Sequence, residues 1–227
     1  ELPGDCVSYR NEGSLLDADH PANGVLFARR FTANALRAAR KALLEGRTVA
    51  EAAAAAKTFA SFSGEPMRTN LVRMLDLIGV GQWLGLASTA SLWSDKGELV
   101  HFTSALRYPV FVDGQNWSGQ PDMVKTLALR GWLEAYTGQE LRALSDAVIV
   151  PLGPKVAAAM QALAAEGLVD NRRILDGLPH PSGANAERIA FFLGDKAAER
   201  CSTKTNTAAL SRARAGLQAR VAAFSRS

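Results

Sequence analysis

The chain has 227 residues and a mass of 24.2 kDa, with 48% hydrophobic and 21% charged residues; this excludes a disordered or fibrous protein and suits one domain of ordinary size. Its formal net charge of +4 and pI near 9.3 lean slightly toward an acidic partner such as nucleic acid. Two distant cysteines (Cys6 and Cys201) and three scattered histidines argue against a structural zinc or an iron–sulfur site, and no apolar run approaches the ~20 residues of a membrane span.

No secretory signal is legible, and the first residue is Glu. The expectation is a processed or trimmed chain, or one whose start is missing, that works in the cytoplasm with its thiols reduced. Residues 1–20 are rich in turn formers. Residues 22–45 carry apolar positions at helical spacing, closed by Gly46. Thr48-Val-Ala-Glu51 reads as a capping box ahead of an Ala-rich helix. The stretch 22–60 is therefore expected to be a helical pair that serves as packing material.

Gly64 and Pro66 mark a turn and the start of a helix, in which Leu71, Met74, Leu75 and Ile78 form an apolar stripe; Gly79 and Gly81 stop it. Residues 99–106 (LVHFTSAL) read as a strand, 107–122 as a loop, and 122–138 as a helix. AVIVPLG, at 147–153, is a short apolar run suited to a buried parallel strand. A helix begins at Pro154. RRILDGLPHP supplies a last strand and a turn, followed by helices in ANAERIAFFLG and TAALSRARAGLQARVAAF. This alternation predicts an α/β layered domain with a mostly parallel sheet, whose ligand would sit beyond the carboxyl ends of the strands.

One such end reads GLPHPSGAN, residues 177–185. Pro179 and Pro181 restrict the backbone on both sides of His180 and so limit its freedom. Ser182, Gly183 and Asn185 stand at a helix N-terminus, where free N–H groups and the helix dipole favour an anion. The same residues also suit an ordinary Ser or Asn N-cap beside a histidine that fills a turn.

The stretch resembles the His-Pro-Ser signature of the uracil-DNA glycosylase superfamily. AVIVPLGPKVAAAM is similar to the strand, Leu-Gly turn and helix that precede that signature. HFTSALRYP is similar to the strand that leads into a Pro-containing loop on the DNA side. FSGEPMRTNLVRMLDLIG is similar to the Phe-x-Gly segment and helix after the first motif, so the resemblance runs over roughly residues 59–194 in order. Glu1-Leu-Pro-Gly-Asp5 resembles the end of a Gly-Glu-x-Pro-Gly first motif whose preceding strand lies outside this chain. The resemblance implies a three-layer α/β/α fold on a central, mostly parallel four-stranded sheet, in a single domain covering 1–227 with the helical stretch 22–60 as an insertion near the N-terminus.

It also implies a function: excision of a deaminated or damaged, uracil-like base from DNA by hydrolysis of the N-glycosidic bond, by a monomer without a metal or cofactor. The target base leaves the stack and lies on an aromatic ring, with Phe62 first and Tyr9 second. His180 donates a hydrogen bond to the departing base, an oxyanion-type stabilisation. Glu1 and Asp5 are the carboxylates expected to steady the sugar cation or orient water. Ser182, Gly183 and Asn185 would hold a phosphate, with Arg107 and Lys155 as further DNA contacts. Three departures are visible. Ser104 stands where the superfamily often has a base-reading Asn, and a hydroxyl cannot make the paired contact of an amide. Gly183-Ala184-Asn185 offers no bulky wedge, so Tyr108, Phe111 and Trp117 of the 107–122 loop are expected to fill that space. Cys6 and Cys201 cannot build the four-cysteine cluster of some relatives. The alternatives are a non-catalytic protein on the same fold that binds nucleic acid or a nucleotide, and a hydrolase of small nucleosides.

Overall fold

The computed structural model describes residues 37–49, 51, 52, 55, 64–107 and 110–224. The chain divides into two compact units interleaved along the sequence. One takes residues up to 62 together with 102–140, and the other takes 63–101 together with 141–227.

The second unit is built on five helices: α1 (Met67–Leu77), α2 (Val80–Trp83), α3 (Pro154–Ala165), α4 (Ala186–Leu193) and α5 (Thr207–Ala222). The stripe on α1 faces inward as its spacing requires, with Leu71, Met74, Leu75 and Ile78 all buried. Gly79 ends the helix in the left-handed region at φ 91°, a conformation that carries no penalty for glycine. α1 packs on α4, whose Ile189 and Phe192 are buried; α5 packs on α4 and α2 through Leu217 and Val221. Pro154 opens α3, and Asn206 caps α5 by accepting from the Ala209 amide at 2.9 Å. Asp76 holds the turn after α2, accepting from Ser88 Oγ at 2.6 Å and the Thr89 amide at 2.7 Å.

In the first unit, residues 37–44 are helical and stop before Gly46, at φ 77°. The Thr48 capping box forms: the Glu51 amide donates to Thr48 Oγ1 at 3.3 Å, and the Thr48 amide donates to Glu51 Oε2 at 2.8 Å. The segment expected as a loop over 107–122 contains an antiparallel hairpin, β1 (Phe111–Val112) with β2 (Gln115–Asn116). Its two turn residues, Asp113 and Gly114, both have positive φ, as the tight primed turns require. A helix at Leu127–Trp132 runs on through a wider π turn at Leu133–Gly138.

The expected three-layer fold on a four-stranded, mostly parallel sheet of uracil-DNA glycosylase type is not what the chain forms. Among the described residues helix makes up 56% and strand 3%. Besides the hairpin, the described residues hold one isolated parallel bridge, Ile149 with Ile174. The Ile149 amide donates to the Arg173 carbonyl and the Leu175 amide to the Ile149 carbonyl, each at 2.8 Å. The next rung would need an N–H at position 151, which is Pro151 and has none. At the other end the Arg173 amide is committed to the Asp170 carbonyl at 3.0 Å. The Ala147 carbonyl accepts instead from Arg173 Nε at 2.7 Å. The ladder is therefore stopped on both sides. The strand expected over 99–106 is also absent: the carbonyls of Ser104 and Ala105 accept from Thr137 Oγ1, at 3.2 and 2.8 Å, rather than from a neighbouring strand.

Candidate functional site

The His180 turn lies in the second unit, between the Ile174 bridge and α4. Leu178, Pro179 and Pro181 are buried, and His180 between them is half-buried. The turn is clasped from two sides. On one side is the Pro151–Pro154 turn, where Gly153 adopts φ 90° and ψ 165°, a region open essentially to glycine alone. A Cβ placed on Gly153 would stand 3.0 Å from His180 Cβ, so glycine is also what lets the two turns touch. On the other side, α1 supplies Asn70, whose Nδ2 donates to the Pro181 carbonyl at 2.9 Å. Pro66, just before α1, would lie 3.6 Å from a Cβ on Gly183.

The imidazole is oriented from within the turn. The Ser182 amide donates to His180 Nδ1 at 3.2 Å. An acceptor Nδ1 in a neutral ring leaves the proton on Nε2, which is then a donor. Burial pushes the His180 pKa below its ordinary value of 6.5, because desolvation disfavours the charged form. A neutral imidazole with an Nε2–H can donate to a carbonyl oxygen or to a developing oxyanion.

Ser182, Gly183 and Asn185 form the 3-10 turn that leads into α4. Asn185 Nδ2 donates to Ser182 Oγ at 3.2 Å, and Asn185 Oδ1 accepts from Arg188 at 2.8 Å. Neither Ser182 nor Asn185 caps its helix with its side chain. Glu187, in the first turn of α4, accepts from Lys196 Nζ at 2.7 Å, from the Ser202 amide at 3.1 Å, and from Ser202 Oγ and Thr205 Oγ1 at 2.6 Å each. The Lys196 ammonium, followed by these hydroxyls and the amide, holds its carboxyl far below the usual carboxylate range. Glu187 thus ties the segment after α4 to the start of that helix.

Of the residues singled out from sequence, the structure gathers His180, Ser182, Gly183 and Asn185 in one turn. Lys155 is exposed on the first turn of α3, two positions past Gly153. Ser104 and Arg107 belong to the other unit. Ser104 is exposed. Arg107 Nη2 is bonded to Glu140 Oε2 at 2.7 Å, and the same oxygen accepts from Thr103 Oγ1 at 2.6 Å. Phe111 is buried, and Trp117 donates its indole N–H to the Pro121 carbonyl at 2.8 Å. Glu1, Asp5, Tyr9, Phe62 and Tyr108 lie outside the described residues. Asn70 and Gly153 were not anticipated. The one signal for Asn70 is a poor helix former inside a helix whose apolar stripe is otherwise complete.

An open cleft of about 410 Å³, lined by Trp83, Gln218, Val221 and Phe224 among others, lies at the C-terminal end of α1, whereas the His180 turn touches its N-terminal end. Among the described residues no group of three or more His, Cys, Asp or Glu side chains is placed to hold a metal, and no helix is long and apolar enough to cross a membrane.

The chain is similar to a protein of Bacillus subtilis (strain 168) described as uncharacterized protein YoxB, at 35% identity over 160 residues. The match covers 70% of this chain and 62% of that protein, so the chain spans about three fifths of that relative's length. No family model matches the chain. No solved structure matches it.

Proposed function

We propose that the chain removes a deaminated or damaged, uracil-like base from DNA by hydrolysing its N-glycosidic bond. The observation that carries the reading is the bond from the Ser182 amide to His180 Nδ1. It leaves Nε2–H as a donor on a ring that burial keeps neutral. As the bond from base to sugar breaks, its electron pair goes to the base, and negative charge collects on a base oxygen beside the ring. A fixed donor at such an atom is worth about 3–4 kcal/mol of barrier. Water then adds to the sugar carbon and loses a proton. Glu1 and Asp5 are the carboxylates assigned to that water by the resemblance of the first motif. The Ser182–Asn185 turn at the start of α4 suits a phosphate next to the target. The partner in this reading is DNA, and the protein acts as a monomer in the cytoplasm without a metal or cofactor.

A second reading, binding of nucleic acid or a nucleotide without catalysis, draws on Ser104, whose hydroxyl lacks the two-point contact of an amide. Single-turnover cleavage separates the two. Oligonucleotides carrying uracil, hypoxanthine, xanthine or an undamaged base would be tested single- and double-stranded, with His180→Ala beside wild type. Alkali-revealed cleavage at one lesion, lost in the variant, supports the glycosylase. Absence of cleavage with salt-sensitive binding retained supports the binder.

A further inference from the structure

The two hydrogen bonds that flank the His180 turn share one peptide group. The Pro181 carbonyl accepts from Asn70 Nδ2 at 2.9 Å, and the Ser182 amide, the other edge of that same peptide plane, donates to His180 Nδ1 at 3.2 Å. The plane is thus held by a side chain of α1 at its oxygen edge and itself holds the imidazole at its nitrogen edge. The geometry points to Asn70 as a positioning residue that sets the tautomer and ring orientation of His180 through the Pro181–Ser182 peptide, an inference that rests on the proposed role of His180 as a donor to the leaving base.

The physical chain is short. A peptide plane turns through the ψ of the residue before it and the φ of the residue after it. Pro181 fixes its own φ and is almost wholly buried, but its ψ and the φ of Ser182 are free to turn unless something holds the oxygen. Asn70 holds it. A hydrogen bond accepted at a carbonyl also polarises the peptide and strengthens the donor at its nitrogen. Without Asn70, the plane can rotate and the Ser182 amide leaves Nδ1. The proton is then free to sit on Nδ1, which removes the donor at Nε2. Asn70 is an apt residue for the task because its amide donates without adding charge beside the imidazole.

The test reads the tautomer directly. Full-length protein labelled with nitrogen-15 in histidine would be studied at about pH 8, where the ring is neutral, as wild type, Asn70→Leu and Asn70→Ala. The leucine variant keeps the branched shape without the donor, and the alanine variant guards against misfolding of the first. Wild type is expected to give a bare Nδ1 and a protonated Nε2. Both variants are expected to give a mixture of tautomers. A pure Nε2–H tautomer in either folded variant overturns the proposal. A second readout is single-turnover cleavage of the lesion that wild type accepts. A loss of about 10- to 100-fold in rate with DNA affinity unchanged is expected, short of the ~10²–10³ lost with a direct oxyanion donor. An equal loss of rate and affinity overturns it. The spectrum needs no substrate, so failure of wild type to cleave any lesion sinks the glycosylase reading while the tautomer result still decides the role of Asn70.

Discussion

Ser182 and His180 stand two residues apart, and the backbone N–H of the first donates to Nδ1 of the second at 3.2 Å. With burial, this fixes both the charge and the tautomer of the ring, and its pH consequence has a definite sign. Burial lowers the His180 pKa in the folded chain. Below the ordinary value of 6.5 the unfolded chain takes up a proton that the folded chain refuses, so stability rises with pH across that window. The His180 contribution is therefore fully present above pH 6.5 and is lost as pH falls toward the folded value. The difference in melting temperature between wild type and His180→Gln, followed from about pH 5 to 7.5, should narrow on the acid side. A constant difference would rule out a lowered pKa. On the proposed glycosylase reading, in which the neutral ring is the donor, the cleavage rate should likewise hold its plateau to below pH 6.5.

Gly153 is predicted to tolerate no side chain. Its φ of 90° and ψ of 165° lie in a region that other residues rarely adopt, and an added Cβ would meet His180 Cβ at 3.0 Å. Gly153→Ala should cost about 1–3 kcal/mol from backbone strain alone. Gly216→Ala is the control: it lies within α5 with open space at its Cβ position and should stabilise by about 0.5–1 kcal/mol. Urea denaturation of both variants checks the pair. Equal stability of Gly153→Ala and wild type would mean that the two turns are not in close contact.

What could be read from the sequence was local. The stripe Leu71, Met74, Leu75 and Ile78, the Thr48–Glu51 box, the Pro154 start and the stops at Gly46 and Gly79 each depend on residues within a turn or two, and all are found. The sheet was not legible, because apolar stretches at 147–150 and 174–175 look alike whether they build a ladder or one bridge. What decided the matter was a missing N–H at Pro151 and a guanidinium at Arg173 that takes a carbonyl. The Asp113-Gly114 dipeptide is a hairpin signal, but the prolines and glycines around it make the whole stretch resemble a loop. At the site, the rigid setting of His180 followed from its two prolines. The neighbours Asn70 and Gly153 did not, since one stands 111 residues from Pro181, whose carbonyl it holds, and the other acts by having no side chain.

Glu187 is predicted to act as a clasp rather than as a catalytic acid. Its carboxylate takes four hydrogen bonds, from Lys196, from Ser202 twice and from Thr205. They hold its pKa far below the ordinary 4.5. For a carboxyl with a lowered folded pKa, the stabilisation is complete above the unfolded value and is lost as pH falls below it. Glu187→Gln removes the charge that draws in Lys196 and should speed amide hydrogen exchange across 195–206 at neutral pH. The acceleration should shrink progressively as pH falls below about 4.5, where the unfolded carboxyl takes up a proton that the folded one still refuses. Unchanged exchange in this segment at pH 7 would show that the clasp contributes nothing to its order.

The two cations assigned to DNA each carry a separate prediction. The Arg107 guanidinium is bonded to Glu140 Oε2 at 2.7 Å, and a carboxylate at that distance offsets the charge it would offer a phosphate. Lys155 is exposed on the first turn of α3, beside the Gly153 turn that touches His180. A lysine that meets a phosphate displaces counterions, and its loss lowers the slope of log K against log salt by about one. Lys155→Ala should therefore flatten the salt dependence of DNA binding by that amount across all sequences. Arg107→Ala should leave the slope unchanged, and Glu140→Gln, which frees the guanidinium, should steepen it. Binding titrations of the three variants at several salt concentrations decide the matter. A flatter slope for Arg107→Ala with none for Lys155→Ala would move the DNA contact to the segment that carries Ser104.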